Sequence, residues 1–191
     1  MSSDFSDRAV AQIDLDAFAN NIEVVRNACP EQAYLPIIKA NGYGHGLEAI
    51  AGALVANASQ TDQSATTLEG CAIAALSEAQ RLREWGWDRP IVLLPGFINA
   101  AELDECRRLK VDPVIHSPHQ LALLRGNAGG ISRVWLKANT GMNRLGLNTE
   151  ACAKSRCRCN VASCLRRRAR LAGNHEAEIA VRFAACGCGG Y

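Results

Sequence analysis

The chain has 191 residues, with 21 Lys+Arg against 19 Asp+Glu and 48% apolar side chains. This composition is typical of a globular domain and excludes a collagen-like repeat, a coiled coil and a low-complexity disordered chain. No apolar run reaches the roughly 18 residues of a membrane span, and the N-terminus lacks the pattern of a secretory signal, so we expect a cytoplasmic protein without a membrane partner.

Helices and strands alternate along residues 1–150. The first predicted helix covers residues 16–28, where Phe18, Ile22 and Val25 recur at helical spacing. Five apolar runs bounded by Gly, Pro or polar residues then predict strands. They are LPIIK (35–39), CAIAAL (71–76), PIVLL (90–94), VDPVIH (111–116) and SRVWLK (132–137). Such alternation favours a parallel α/β sheet, either an open doubly wound sheet or a barrel.

Four more helices are predicted between these strands. Residues 47–56 form the first, and the polar residues 57–70 after it are expected to be a loop. Capping patterns mark the other three starts: Ser77 with Gln80, Asn99 with Glu102, and Pro118 after Ser117. The last of these helices is expected to end near Gly126.

Lys39 ends the first predicted strand and precedes the glycine-rich turn ANGYGHG (40–46). Active sites of parallel α/β folds gather where strands end, and a lysine among apolar neighbours can react with a carbonyl cofactor. Taken alone, a lysine in this position is more often a surface lysine at a strand end. A dinucleotide site is a further alternative, although G-x-G-x-G is not the G-x-G-x-x-G fingerprint.

A second motif, KANTGMNRLGL (137–147), begins where the fifth predicted strand ends. Lys137 is the last strand residue, and Arg144 lies in the loop that follows. Arginine suits a carboxylate or a phenolic oxygen because its donors form a planar fork. Taken alone, Arg144 is compatible with a solvated or ion-paired loop residue.

Together, IIKANGYGHG and LKANTGMNRLGL resemble the alanine racemase family, and AQIDLDAFANNI and ALSEAQRLRE fit it as well. The resemblance covers roughly residues 10–150 and implies pyridoxal 5'-phosphate bound to a (β/α)8 barrel of the TIM type. Family members add a C-terminal β-domain and form homodimers. With five recognisable strands, and about 250 residues needed for a whole barrel, we expect an incomplete barrel without the β-domain.

The resemblance also implies a role for each site residue. Lys39 is the lysine that attaches the cofactor and acts as base on the D-alanine side. Tyr43 contacts the cofactor phosphate, and Arg144 reaches the phenolic oxygen and the substrate carboxylate. Lys137 is the lysine that many family members carry in carbamylated form, where it orients the arginine. No metal is implied.

The resemblance implies interconversion of L-alanine and D-alanine, which supplies D-alanine for the cell wall. A broad-specificity amino-acid racemase and a related decarboxylase are the alternatives within the enzyme class. A catalytically dead, cofactor-binding fragment is the alternative outside it. We expect the chain to be a defective fragment, because the family's tyrosine for the L-side proton has no counterpart that we can align.

Composition changes near residue 150. Residues 1–150 hold 13 basic and 17 acidic side chains, whereas residues 151–191 hold 8 and 2, together with six of the nine cysteines. A zinc site is one interpretation, but the Cys-x-Cys spacing is unusual for it. Nucleic-acid binding is disfavoured because the arginine run is short and lacks aromatic residues. We favour a reading-frame error as the origin of this tail.

Overall fold

The structure is a computed structural model that describes residues 10–28, 32–60, 67–126, 129–139, 141, 143–148 and 151, and the backbone of 180–184. Helices and strands alternate through most of this range. The helices are α1 (Leu15–Ala28), α2 (Lys39–Tyr43), α3 (Leu47–Gln60), α4 (Leu76–Trp85), α5 (Ala100–Arg108) and α6 (Pro118–Gly126). The strands are β1 (Cys71–Ile73), β2 (Ile91–Leu93), β3 (Val111–Ile115), β4 (Arg133–Lys137) and β5 (Ala180–Ala184).

The strands form one sheet in the order β1-β2-β3-β4-β5. Strands β1 to β4 are parallel to one another, and each of β2, β3 and β4 follows a helix. The predicted α/β fold with a parallel sheet is therefore confirmed. Within the described residues the sheet is open.

The helix-facing side of the sheet carries the main core. Residues of one strand face alternate sides, so Cys71 and Ile73 point to the helices with Ile91 and Leu93 of β2. Ala72, Val92 and Val114 point the other way and form a smaller cluster. We call this second side the inner face, because it corresponds to the inside of a barrel.

Two of the predicted helix starts are confirmed. Asn99 Oδ1 accepts a hydrogen bond from Glu102 N at 2.9 Å, and Glu102 Oε2 accepts one from Ile98 N at 2.9 Å. Pro118 is the first residue of α6, and Ser117 Oγ accepts from Gln120 N at 3.3 Å. Helix α6 ends at Gly126 as predicted.

The predicted start of α4 is wrong. The helix begins at Leu76, and Glu78 rather than Gln80 reaches back to its first turn. Helix α3 also continues beyond its predicted end at residue 56 and ends at Gln60. Within this extension, Asn57 Nδ2 donates to Glu23 Oε1 of α1 at 3.3 Å.

Two further sequence predictions need correction. The predicted strand 35–39 is not a regular strand. Residues 34–37 make only isolated parallel bridges, Tyr34–Leu68 just before β1 and Ile37–Ala72 within β1. In α1, Ile22 is buried as predicted, but Val25 is half exposed. Arg26 is buried in its place and donates from Nη1 to Glu23 Oε1 at 2.9 Å.

Strand β5 is the described element of the tail. It pairs antiparallel with β4, with Lys137 opposite Ala180 and Arg133 opposite Ala184. The cysteines and the arginine run of the tail lie outside the described residues. Within the described part of the chain, no helix is both long and apolar enough to cross a membrane, and no three His, Cys, Asp or Glu side chains are placed to hold a metal ion.

Candidate active site

Lys39 lies where the run 34–38 passes along β1. Ile38 N donates to Ala72 O at 2.9 Å, and Ala72 N donates to Pro36 O at 2.9 Å. Lys39 follows directly as the first residue of α2, and it is half-buried. The structure thus places Lys39 at the carboxyl edge of the parallel strands, as predicted.

Most of α2 is a left-handed turn rather than a regular α-helix. Three residues other than glycine have positive φ angles, 52° at Ala40, 55° at Asn41 and 54° at Tyr43, and Gly42 has φ 64°. Each L-residue in this conformation costs about 1–2 kcal/mol, so other contacts must hold the turn. Its path places Lys39 Nζ 6.0 Å from the centroid of the Tyr43 ring.

Asn41 links this turn to two neighbouring helices. Its backbone N donates to Glu78 Oε1 of α4 at 3.0 Å. Its side-chain Oδ1 accepts from Leu47 N, at the start of α3, at 3.1 Å and from Arg81 Nη2 at 3.2 Å. The sequence had marked the glycines of this turn and missed Asn41.

Glu78 is a buried carboxylate, with 8% of the residue exposed. Besides Asn41 N, it accepts hydrogen bonds at Oε2 from Ala74 N at 3.1 Å and from Ala75 N at 3.2 Å. One side chain therefore connects the first turn of α4 to the left-handed turn after Lys39. The sequence signal that could have identified Glu78 is an acidic residue in the first turn of a helix. The prediction used Ser77 and Gln80 as the capping residues instead.

The second predicted motif forms a closed loop after β4. Leu147 N donates to Lys137 O at 2.8 Å, and Asn139 N donates to Leu147 O at 2.9 Å. Gly146, with φ 132°, has no space for a side chain, because an added Cβ would lie 2.7 Å from Asn139 N. Lys137 is half-buried on the inner face, and Arg144 is exposed within this loop.

Both predicted motifs thus lie at one edge of the sheet. They are four strand positions apart, since the run 34–38, β1, β2 and β3 precede β4 in space. At about 4.8 Å per position this is roughly 19 Å along the sheet. The structure brings Lys39 close to Tyr43 and places Lys137 at the end of β4 with Arg144 in the loop that follows.

A cavity of about 540 Å³ adjoins the first pair. Tyr43 and Ile37 line it, together with Phe18 of α1, whereas Lys39 does not. Ile37 is 49% exposed and Tyr43 58% exposed, so apolar and aromatic surface faces this space. The cavity is large enough for a small-molecule ligand.

Cys71 and Cys106 do not provide an alternative nucleophile. Both thiols are buried, and burial raises the pKa of Cys71 to about 12 and that of Cys106 to about 11. A thiol acts as a nucleophile in its ionised form, so both remain protonated and unreactive at neutral pH.

Comparison with known proteins identifies this arrangement. The family model "Alanine racemase, N-terminal domain" matches residues 13–168. The chain belongs to the alanine racemase family. The alanine racemase of Thioalkalivibrio sulfidiphilus is 45% identical over 141 residues, which are 73% of this chain and 36% of that protein. The alanine racemase of Coxiella burnetii is 39% identical over 144 residues, 75% of this chain and 36% of that protein.

Solved structures give the same result for the fold. The biosynthetic alanine racemase of Pseudomonas aeruginosa matches with a TM-score of 0.65 and 31% identity, over 78% of this chain and 39% of that one. The alanine racemase of Acinetobacter baumannii matches with a TM-score of 0.62 and 30% identity, over 72% and 39%. The sheet is therefore part of a TIM-type barrel, and the doubly wound alternative is set aside. The chain spans little more than a third of the length of these relatives.

Proposed function

We propose that this chain is the cofactor-binding part of a pyridoxal-phosphate-dependent racemase that interconverts L-alanine and D-alanine. The observation that carries the proposal is the placement of Lys39, half-buried at the carboxyl edge of the sheet, with the Tyr43 ring 6.0 Å from its Nζ. An amine and a phenol this close fit a ligand that carries both a carbonyl and a phosphate. A cytoplasmic location stays a prediction from the sequence, and a homodimer stays a prediction from the family.

Each residue would contribute a separate interaction. Lys39 would hold the cofactor covalently and, when free, take or return a proton at the α-carbon of D-alanine. Tyr43 would donate its hydroxyl to the cofactor phosphate. Arg144 would bind the substrate carboxylate through its paired donors. A carbamate on Lys137 would be an anion capable of orienting Arg144. The bound cofactor supplies the electron sink that makes the α-proton acidic.

The attachment residue can be tested directly. The purified chain should develop the visible absorption of lysine-bound pyridoxal phosphate, and reduction with borohydride should fix the cofactor on the peptide that contains Lys39. Lys39→Ala should abolish the band. Lys110→Ala is the matched control, because Lys110 is exposed and lies just before β3, at the amino ends of the strands rather than the carboxyl ends. An unchanged band in Lys39→Ala would rule out the assignment.

Activity of the 191-residue chain by itself is expected to be one-sided. Racemisation removes a proton from one face of the α-carbon and returns one to the other. Lys39 extends from one strand end and serves one face only. A general acid or base typically contributes about 10²–10⁴-fold in rate, so the chain alone should racemise very slowly.

The assay is incubation of each enantiomer of alanine in deuterated water, followed by chiral separation and mass measurement. We expect slow deuterium incorporation into D-alanine with little inversion. Rapid conversion of both enantiomers by homogeneous protein would contradict this expectation. It would indicate that the chain contains a second base and does more than bind the cofactor.

A further inference from the structure

We infer that Glu78 is a positioning residue, which holds the left-handed turn and thereby places Lys39 relative to Tyr43. The inference rests on the proposed function insofar as this placement serves pyridoxal phosphate. Glu78 itself belongs to α4 and is separated from Lys39 by 39 positions in the sequence. It acts through the backbone of Asn41, whose N donates to Glu78 Oε1 at 3.0 Å.

The chemistry of the side chain fits this role closely. The two carboxylate oxygens accept three backbone N–H groups, Asn41 N at Oε1 and Ala74 N and Ala75 N at Oε2. An ionised carboxylate only accepts hydrogen bonds, so both oxygens can face donors. An amide of the same shape has one accepting oxygen, and its NH₂ group would oppose an N–H on one side. Glutamine therefore cannot hold α4 and the turn at the same time.

The turn needs such a tether because its backbone is unfavourable on its own. Ala40, Asn41 and Tyr43 have φ angles between 52° and 55°, a region that side chains other than glycine rarely adopt. Strained backbone persists only where surrounding contacts determine it. Among the described contacts, the bond from Asn41 N to Glu78 is the one that ties the middle of the turn to a buried ionisable group.

The chain offers a matched control in Glu102. This residue also accepts a backbone N–H at the start of its helix, from Ile98 N at 2.9 Å. It lies on α5 and has no part in the contacts that hold residues 40–43. Glu102→Gln should thus reproduce the loss of a negative charge at a helix start without affecting the turn.

The test compares the full chain with Glu78→Gln and Glu102→Gln in three measurements. These are the melting temperature, the amide hydrogen exchange of Asn41 by NMR, and the dissociation constant for pyridoxal phosphate from the visible band. Both variants should melt somewhat lower. Only Glu78→Gln should exchange Asn41 N–H at least about tenfold faster and bind the cofactor at least about tenfold more weakly, as expected for a lost tether.

Glu78→Asp is a second variant, to be measured in case Glu78→Gln does not fold. Aspartate keeps the negative charge at the start of α4 but withdraws the carboxylate from Asn41 N by one methylene. It should show the same two changes as Glu78→Gln at higher stability.

The outcomes separate this inference from the proposed function. Equal Asn41 exchange in both glutamine variants would overturn the role of Glu78, as would faster exchange with unchanged cofactor binding. A parent chain that forms no visible band would refute the proposed function, and Asn41 exchange would still decide whether Glu78 holds the turn.

Discussion

Gly96 shows how a single residue constrains the sheet. It follows β2 with φ 66°, and an added Cβ would overlap the Val114 carbonyl oxygen and lie 2.6 Å from Gln120 Nε2. Gly96→Ala should therefore lower the free energy of unfolding by about 1–3 kcal/mol, from steric overlap and unfavourable φ together. Urea unfolding followed by circular dichroism measures the change.

Gly126 is the matched control for this substitution. It ends α6, and a Cβ added there meets no heavy atom of the described residues within 4 Å. Gly126→Ala should leave stability unchanged or raise it by up to about 1 kcal/mol, because alanine favours helix. Equal destabilisation by both variants would contradict the close approach at Gly96.

At the residue scale, the sequence predicted where the candidate side chains lie better than how the backbone holds them. The motifs correctly placed Lys39 and Lys137 at the carboxyl edge of the sheet. They did not reveal the left-handed turn, because Ala40 and Tyr43 carry no preference for positive φ. Tertiary contacts through Asn41 fix that conformation, and a linear pattern does not contain them.

The capping of α5 provides a prediction at the element scale. Asn99 Oδ1 accepts the N–H of Glu102 at 2.9 Å and so pairs a donor that the helix itself leaves free. Asn99→Ala should lower the free energy of unfolding by about 1 kcal/mol. Asn99→Asp keeps an accepting oxygen and should stay close to the parent in urea unfolding. A loss in Asn99→Asp as large as in Asn99→Ala would refute the capping role.

Two helix starts with local signals were predicted well, whereas the strand that depends on distant partners was not. Asn99 and Pro118 mark helix starts through their own side chains and rings. The run 35–39 has the composition of a strand, yet its pairing is limited to isolated bridges with residues 68 and 72. Whether an apolar run becomes a regular strand depends on the neighbours that its edges find.

At the scale of the whole molecule, the two buried thiols link stability to pH. Burial raises the pKa of Cys71 from 9.0 to about 12 and that of Cys106 from 9.0 to about 11. Below pH 9 both are protonated in the folded and unfolded chain. Above it the unfolded chain ionises first, so the free energy of unfolding should fall by up to about 1.4 kcal/mol per pH unit and thiol until the folded pKa is reached.

Urea unfolding under reducing conditions at about pH 8 and about pH 10.5 measures this decline. Other groups also titrate in this window, so the comparison with Cys71→Ala isolates the thiol. The variant should be less stable at the lower pH because it loses buried volume, and its stability should fall less steeply with pH. Parallel declines in parent and variant would show that Cys71 does not contribute.

The direction of β5 lay beyond what the sequence could predict. Apolar alternation along a strand is the same for parallel and antiparallel pairing, so it does not indicate the direction of a strand. In the structure, β5 runs antiparallel to β4 and covers its edge. Family members extend a barrel by parallel strands, so this neighbour differs from the barrel pattern that the resemblance implied.

The left-handed turn also has a consequence for the lifetime of the site. Asn41 and Gly42 form the one Asn-Gly pair in the sequence. In a flexible chain such a pair slowly deamidates, because the glycine nitrogen attacks the side-chain carbonyl carbon of asparagine and expels ammonia, and water then opens the resulting ring. Here Gly42 N donates to Ile38 O at 2.9 Å, and Asn41 Oδ1 accepts from Leu47 N at 3.1 Å. The fold that places Lys39 should therefore also slow this reaction, and the rate at which Asn41 is converted to aspartate or isoaspartate should report how often the turn opens.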